Sequence, residues 1–196
     1  MKKISIKERA GWRQKVESEG FAFHTIDGER YWDERGYYQF SEEQITRDIE
    51  APTKELHEMS LDLVARVVES EELLTRLSIP PAFFDLVRTS WREGHPHLYS
   101  RFDFIYNGDG PAKMIESNAD TPTSLLEAGS VQLLWLEDQI AQGVLPAAAT
   151  QFNTLAQDMV SAFSTFSKDS PFYFAAISGS IEAVSYTHLT LPTTPY

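Results

Sequence analysis

One stretch constrains this chain more than any other: Arg101 to Glu127, RFDFIYNGDGPAKMIESNADTPTSLLE. Arg101 to Tyr106 alternates, with Arg101, Asp103 and Ile105 on one side and Phe102, Phe104 and Tyr106 on the other. Strand side chains point to opposite faces with a period of two, so the pattern predicts a half-buried strand. Asn107-Gly108-Asp109-Gly110 is a strong turn signal, and Ala112 to Asn118 reads as the return strand, with Met114, Glu116 and Asn118 on one face. A loop spanning Asn107 to Gly110 pairs Asp103 with Met114; a register shifted by two pairs Asp103 with Glu116. Either register puts Arg101, Asp103, Glu116 and Asn118 on the same face, and leaves the other side aromatic and apolar, fit for a core.

That polar face carries two carboxylates, a carboxamide and a guanidinium. The first three are hard oxygen donors, the kind magnesium prefers, usually in a shell shared with water and substrate phosphates. A guanidinium beside them can neutralise charge developing on a transferring phosphoryl group. The same spacing also fits a solvated polar face with an Arg–Asp pair that contributes little. Asn118-Ala119-Asp120 then leaves the strand. Thr121 is a candidate N-cap, with Pro122 at the first helical position. A helix N-terminus pointing at the same edge suits an anion through its free amides and dipole, and Thr121, Thr123 and Ser124 add hydroxyl donors. A simply well-capped helix accounts for the same residues.

The order of these residues resembles the signature of the glutathionylspermidine synthase family. It reads Arg101-Phe102-Asp103, then, after the turn, Lys113-Met114-Ile115-Glu116-Ser117-Asn118-Ala119-Asp120-Thr121-Pro122-Thr123-Ser124-Leu125-Leu126-Glu127-Ala128. Tyr31-Trp32, Tyr37-Tyr38-Gln39-Phe40 and Glu55-Leu56-His57 fit the family more loosely. The resemblance implies an ATP-grasp-like fold and a ligase that uses ATP and magnesium (Mg2+). Such an enzyme activates a carboxylate as an acyl phosphate, from which an amine displaces phosphate to form an amide. It further implies that Arg101 contacts the nucleotide and stabilises phosphoryl transfer, with Phe102 and Asp103 beside the nucleotide. Asp103, Glu116 and Asn118 would hold the metal. Thr121 and Thr123 would lie by the acid substrate, a glutathione-like peptide or another acid, where glutathione-using members carry serines. The amine would be polyamine-like. Family members run to nearly twice this length, so residues 1–182 are read as the N-terminal part of the ligase domain, inactive in isolation.

Composition narrows the alternatives. The formal net charge is -12, and an acidic body of this kind weakens any pull on nucleic acid. An anionic nucleotide would therefore need focused basic residues or bound cations. The absence of cysteine removes a disulfide scaffold, a thiolate zinc site and a thiol nucleophile from this sequence. No window has the length and apolarity of a membrane span, and Met1 to Arg9 is polar, so a cytoplasmic protein is expected. His95-Pro96-His97 offers two imidazoles but no obvious third ligand. Neither a Gly-x-x-x-x-Gly-Lys-Ser/Thr loop nor a Gly-x-Gly-x-x-Gly after a strand occurs.

Elsewhere the aromatics of Phe21 to Phe40, punctuated by Asp27-Gly28 and Arg35-Gly36, predict short strands around a small core. Ser41-Glu42-Glu43-Gln44 is a capping box. It opens a helical stretch with Ile45, Ile49, Leu56, Met59, Leu63 and Val67 near one stripe and a kink or break at Pro52. Further helices are expected over 71–77, from Pro80-Pro81 to Arg92 with Gly94 ending it, from Thr123 to Gln142 with Gly143 as its stop, and from Phe152 to Phe166, with a buried strand over Phe172 to Ile177. Leu125, Gly129, Leu133, Leu136 and Ile140 should face inward. The class is α/β or α+β, with a mixed sheet flanked by helices. Residues 183–196 contain no Asp, Glu, Lys or Arg. Their run from Ser185 to Pro192 looks like translated sequencing-adapter DNA. They are read as a non-native tail, against a genuine disordered terminus as the other reading. Two other activities use the same residues: a non-catalytic module binding an anionic peptide or nucleotide, and a magnesium-dependent hydrolase.

Overall fold

The computed structural model describes residues 1–119 and 123–166, which divide between two compact units. In chain order the elements are β1 (Lys2–Ser5), α1 (Trp12–Ser18), β2 (Thr25–Ile26), β3 (Glu29–Arg30), β4 (Gly36–Gln39), α2 (Ala51–Val67), α3 (Glu71–Arg76), α4 (Phe84–Arg92), β5 (Arg101–Ile105), β6 (Lys113–Asn118), α5 (Gln132–Ala141) and α6 (Leu155–Phe166). Wide π-helical turns precede α2 and α5, over Gln44–Glu50 and Leu126–Val131, and a 3-10 turn, Pro81–Phe83, leads into α4. The class is α+β, as expected. Among the described residues the strands form three separate antiparallel pairs, β1–β4, β2–β3 and β5–β6, rather than one mixed sheet. The strand expected over 172–177 and the 183–196 tail lie outside the described residues.

The first unit to consider holds Lys2–Gln39 and the chain from Ala119 onward. Of the aromatics in Phe21 to Phe40, Phe21 and Phe23 join its core with Trp12, Val16, Leu126 and Val131, and Trp32 and Leu134 lie against them, whereas Tyr31 and Tyr38 stay exposed. The Phe21 ring meets Phe23 and Trp32 edge-on, the arrangement that aromatic quadrupoles favour. Asp27 and Gly28 both have positive φ, 50° and 82°, which makes the β2–β3 connection a tight primed turn. Strand β1 was not foreseen; its alternation is too short and too charged to show in sequence.

Through the same unit runs a buried ion network. The Arg9 guanidinium forks onto Glu34, with Nε 2.8 Å from Oε2, and also reaches Asp138 and the Leu134 carbonyl. The Arg9 and Glu34 side chains are 2% and 0% exposed. Trp32 Nε1 donates to the same carboxylate at 3.3 Å. Burial alone would lower the Arg9 pKa, but its bonds to Glu34 and Asp138 outweigh that and raise it. The network ties the loop before α1 to α5.

The second unit holds Phe40–Asn118 and Met1. Its capping box forms as predicted: Gln44 N donates to Ser41 Oγ at 3.2 Å, and Ser41 N donates to Gln44 Oε1 at 3.1 Å. The break expected at Pro52 is a change from π to α turns at Ala51. Proline has no N–H and its ring crowds the carbonyl four residues back. That carbonyl belongs to Asp48, and it accepts instead from Ala112 N at 2.7 Å, in the loop before β6.

The stripe read from Ile45 to Val67 is not a uniformly buried face. Ile45 is buried, but Met59 and Leu63 are 59% and 60% exposed, and α2 has no buried residue. The π turns before Pro52 carry more residues per turn, so the face that buries Ile45 is not continued by Met59 and Leu63. Similarly, the π turns over Leu126–Val131 bring Leu126, Glu127 and Val131 into burial beside the expected Leu125, Gly129 and Leu136, whereas Leu133 and Ile140 are only half-buried. Helix α4 ends at Arg92 and α5 at Ala141, and the nearby glycines foreseen as stops, Gly94 and Gly143, have φ of 63° and 71°.

Candidate functional site

The hairpin β5–β6 forms, and its register is the shifted one. Arg101 pairs with Asn118, Phe102 with Ser117 and Asp103 with Glu116. A bulge follows, so that Phe104 pairs with Met114 and Ile105 with Lys113. Ile115 is the extra residue. Two consequences follow from the period of two. Arg101, Asp103, Glu116 and Asn118 share one face, as predicted. Met114, expected on that same face, is carried by the bulge to the side of Phe104. The bulge clears an apolar side chain from the polar face.

The turn end of the hairpin is fastened by the π turns of Gln44–Glu50. Gln44 Nε2 donates to the Gly108 carbonyl at 2.8 Å. Tyr106 Oη donates to Asp48 Oδ2 at 2.7 Å, and the Tyr106 ring stacks on Phe40. Asp48 also accepts from Arg47 Nε at 2.7 Å. The bonds from Arg47 and Tyr106 hold the Asp48 carboxyl below the usual carboxylate range. Burial and the bond to Asp48 push the Tyr106 phenol up to about 12. Asp48 thus anchors the hairpin twice, by its carbonyl and by its carboxylate. Sequence reading missed it, although Pro52 was a usable signal: it frees the carbonyl four residues back for another donor.

The polar residues lie at the opposite, open end of the hairpin. Arg101 Nε donates to Asp103 Oδ1 at 2.7 Å and a terminal nitrogen lies 3.3 Å from Oδ2. The two side chains are 29% and 40% exposed. The bond to Asp103 and the charges of Asp103 and Glu116 raise the Arg101 pKa, so the guanidinium stays charged. Asp103 and Glu116 are direct cross-strand partners. Such partners have Cβ atoms about 4.5–5.5 Å apart, and like charges there weaken a sheet. Arg101 offsets part of that repulsion.

Could this donor set hold a divalent cation? Two opposed carboxylates, with an amide oxygen one pair farther along, match the hard oxygen donors of magnesium. They do not amount to an all-protein cage: among the described residues no group of three or more His, Cys, Asp or Glu side chains is placed to hold a metal. Water or ligand oxygens would have to complete the shell. The His57 and His97 rings are 6.3 Å apart, likewise without a third such ligand among the described residues.

The remaining candidates are less gathered. Phe102 is half-buried on the other face of β5. Thr121, with Asp120 and Pro122, lies outside the described residues. Thr123 belongs to the other unit and is half-buried in a non-helical stretch. Ser124 has φ 79°, and its carbonyl accepts from Ala128 N at 3.0 Å. The described helix therefore starts after Ser124 rather than at Thr123, because a left-handed residue cannot continue a right-handed turn. Glu127, in its first turns, is a residue to which the sequence assigned no role. It is buried, accepts from Tyr31 Oη at 2.7 Å on one oxygen, and has no hydrogen-bond partner on the other among the described residues.

A family model described as glutathionylspermidine synthase preATP-grasp matches residues 3–191, a span that includes the whole hairpin. The chain belongs to the glutathionylspermidine synthase family. Among curated proteins, one from Haemophilus influenzae named as an acid–amine ligase is 39% identical over 153 residues, covering 76% of this chain and 37% of that protein. Trypanothione synthetase of Crithidia fasciculata is 34% identical over 102 residues, covering 52% of this chain and 16% of that enzyme. The bifunctional glutathionylspermidine synthetase/amidase of Escherichia coli is 33% identical over 102 residues, with the same shares. By name the first is an acid–amine ligase and the other two are synthetases. The chain spans little more than a third of the first and about a sixth of the other two. No helix among the described residues is long and apolar enough to cross a membrane.

Proposed function

We propose that this chain carries the metal- and phosphate-facing edge of an ATP- and magnesium-dependent acid–amine ligase. The observation that supports this most is the in-register polar face of β5–β6. A hairpin built for stability alone gains nothing from placing Asp103 opposite Glu116. A cation between them turns that cost into a binding site. When bound, ATP supplies the phosphoryl group that activates the acid, and magnesium neutralises phosphate charge.

In this reading Asp103 and Glu116 supply two carboxylate oxygens to the cation, and Asn118 supplies its amide oxygen. Arg101 turns its fork to phosphate oxygens, for which a planar bidentate donor is suited. The anchored turn end keeps both strands from shearing, so that the open end holds its geometry. Phe102 packs beneath the polar face, and Thr121 and Thr123 contact the acid. The acid is glutathione-like and the amine polyamine-like, by analogy with the names of the relatives. The shares of the relatives covered support a further element: the 196-residue chain by itself does not turn over.

The test uses a full-length protein containing this segment. ADP formation should require magnesium, an acid and an amine together, with glutathione and spermidine as first probes. It should disappear in Asp103→Ala and in Glu116→Ala. Undiminished rates in both variants would remove the metal assignment. ADP formation by the 196-residue chain alone, with both substrates supplied, would contradict the inactive-fragment reading.

A further inference from the structure

Asp103 cannot be considered apart from Arg101. Both oxygens of the carboxylate lie within hydrogen-bond distance of the guanidinium, at 2.7 Å and 3.3 Å. A divalent cation approaching that face therefore competes with a fork already in place. The pair is half-exposed, so water can replace either partner at small cost. It differs in this from the Arg9–Glu34 pair, which is sealed. Arg101 also has a natural second partner, since its fork matches a phosphate as well as a carboxylate.

We propose that Arg101 is an exchangeable cap on Asp103. With no polyanion at the hairpin, the guanidinium occupies the carboxylate and weakens its hold on a divalent cation. When phosphate oxygens take over the guanidinium, Asp103 is released to the cation. Cation and polyanion then favour each other's binding, and the coupling is reciprocal. This rests on the reading of β5–β6 as a metal- and phosphate-binding edge. It adds a positioning role for Arg101 that acts before any chemistry.

The proposal is tested on the chain itself with Mn2+ alone, followed by electron paramagnetic resonance, in the absence of any phosphate. Arg101→Lys keeps the positive charge but loses the bidentate fork. It should bind Mn2+ about two- to fivefold more tightly than the unmodified chain, the range expected from losing a half-exposed ion pair. In an Asp103→Asn background the same Arg101→Lys change should give no gain. Equal or weaker binding by Arg101→Lys, or a gain that persists with Asp103→Asn, would overturn the exchange. Glu116→Gln separates this from the underlying reading. If it weakens Mn2+ binding while Arg101→Lys shows no gain, the metal edge stands and only the cap is wrong. If it leaves binding unchanged, the edge fails and the cap with it.

Discussion

Two arginine–carboxylate forks in this protein use the same chemistry in opposite surroundings. Arg9 meets Glu34 inside the aromatic-core unit, with both side chains almost fully covered. Arg101 meets Asp103 on the open end of the hairpin, about a third exposed on each side. The buried fork also has Asp138, the Leu134 carbonyl and Trp32 around it, so each partner is committed. The exposed fork stands opposite a second carboxylate, Glu116, whose repulsion it only partly relieves. Burial decides what each fork is for. Removing a partner from the first leaves a charge stranded in a dry interior, whereas removing one from the second leaves a charge that water can solvate.

The largest effect should follow from Arg9→Ala. Breaking a buried pair costs about 3–5 kcal/mol, so urea unfolding of this variant should show a large drop in midpoint. A change below about 1 kcal/mol would mean that the network is less dry than its burial indicates. Next come Asp103→Ala and Glu116→Ala in a full-length protein. Magnesium-dependent turnover should fall by about 100-fold or more while the unfolding midpoint barely moves. A large stability loss in either would turn the hairpin face into a second structural network and erase the contrast.

The hairpin anchor responds to pH in two directions. Tyr106 is pushed up to about 12, so its contribution to stability is present below pH 10 and is lost as pH rises from there toward 12. Asp48 is held below its ordinary 3.8, so its contribution is present above that value and is lost as pH falls below it. Melting temperatures of Tyr106→Phe and of the unmodified chain, followed across both windows, should converge at high pH. Parallel curves would show that the phenol does not feel Asp48. The smallest effect belongs to Arg101→Ala, which should alter folding stability by no more than about 1 kcal/mol. A larger loss would bring the two forks together.

How much of this was legible in sequence depended on the range of the interaction. The capping box, the glycine stops and the alternation of Arg101 to Tyr106 are local patterns, and each formed. The face shared by Arg101, Asp103, Glu116 and Asn118 was robust because two registers gave the same answer. The bulge at Ile115 was not legible, since nothing in Met114-Ile115-Glu116 marks which residue is extra. The π turns escaped for a related reason: they alter the periodicity that reveals a helical face, so the stripe through Met59 and Leu63 does not mark a buried one. Asp48 was missed because two of its partners, Tyr106 and Ala112, are far from it in sequence, and only Arg47 is a neighbour.

The central claim is that the polar face of β5–β6 receives a divalent cation beneath phosphate oxygens. A crystal structure of a full-length protein containing this segment, with magnesium and a non-hydrolysable ATP analogue, tests it most directly. The account predicts cation–oxygen distances of about 2.0–2.1 Å to Asp103, Glu116 and Asn118, with Arg101 turned from Asp103 to a phosphate. A cation bound elsewhere, with the Arg101–Asp103 fork intact beside the analogue, would contradict it.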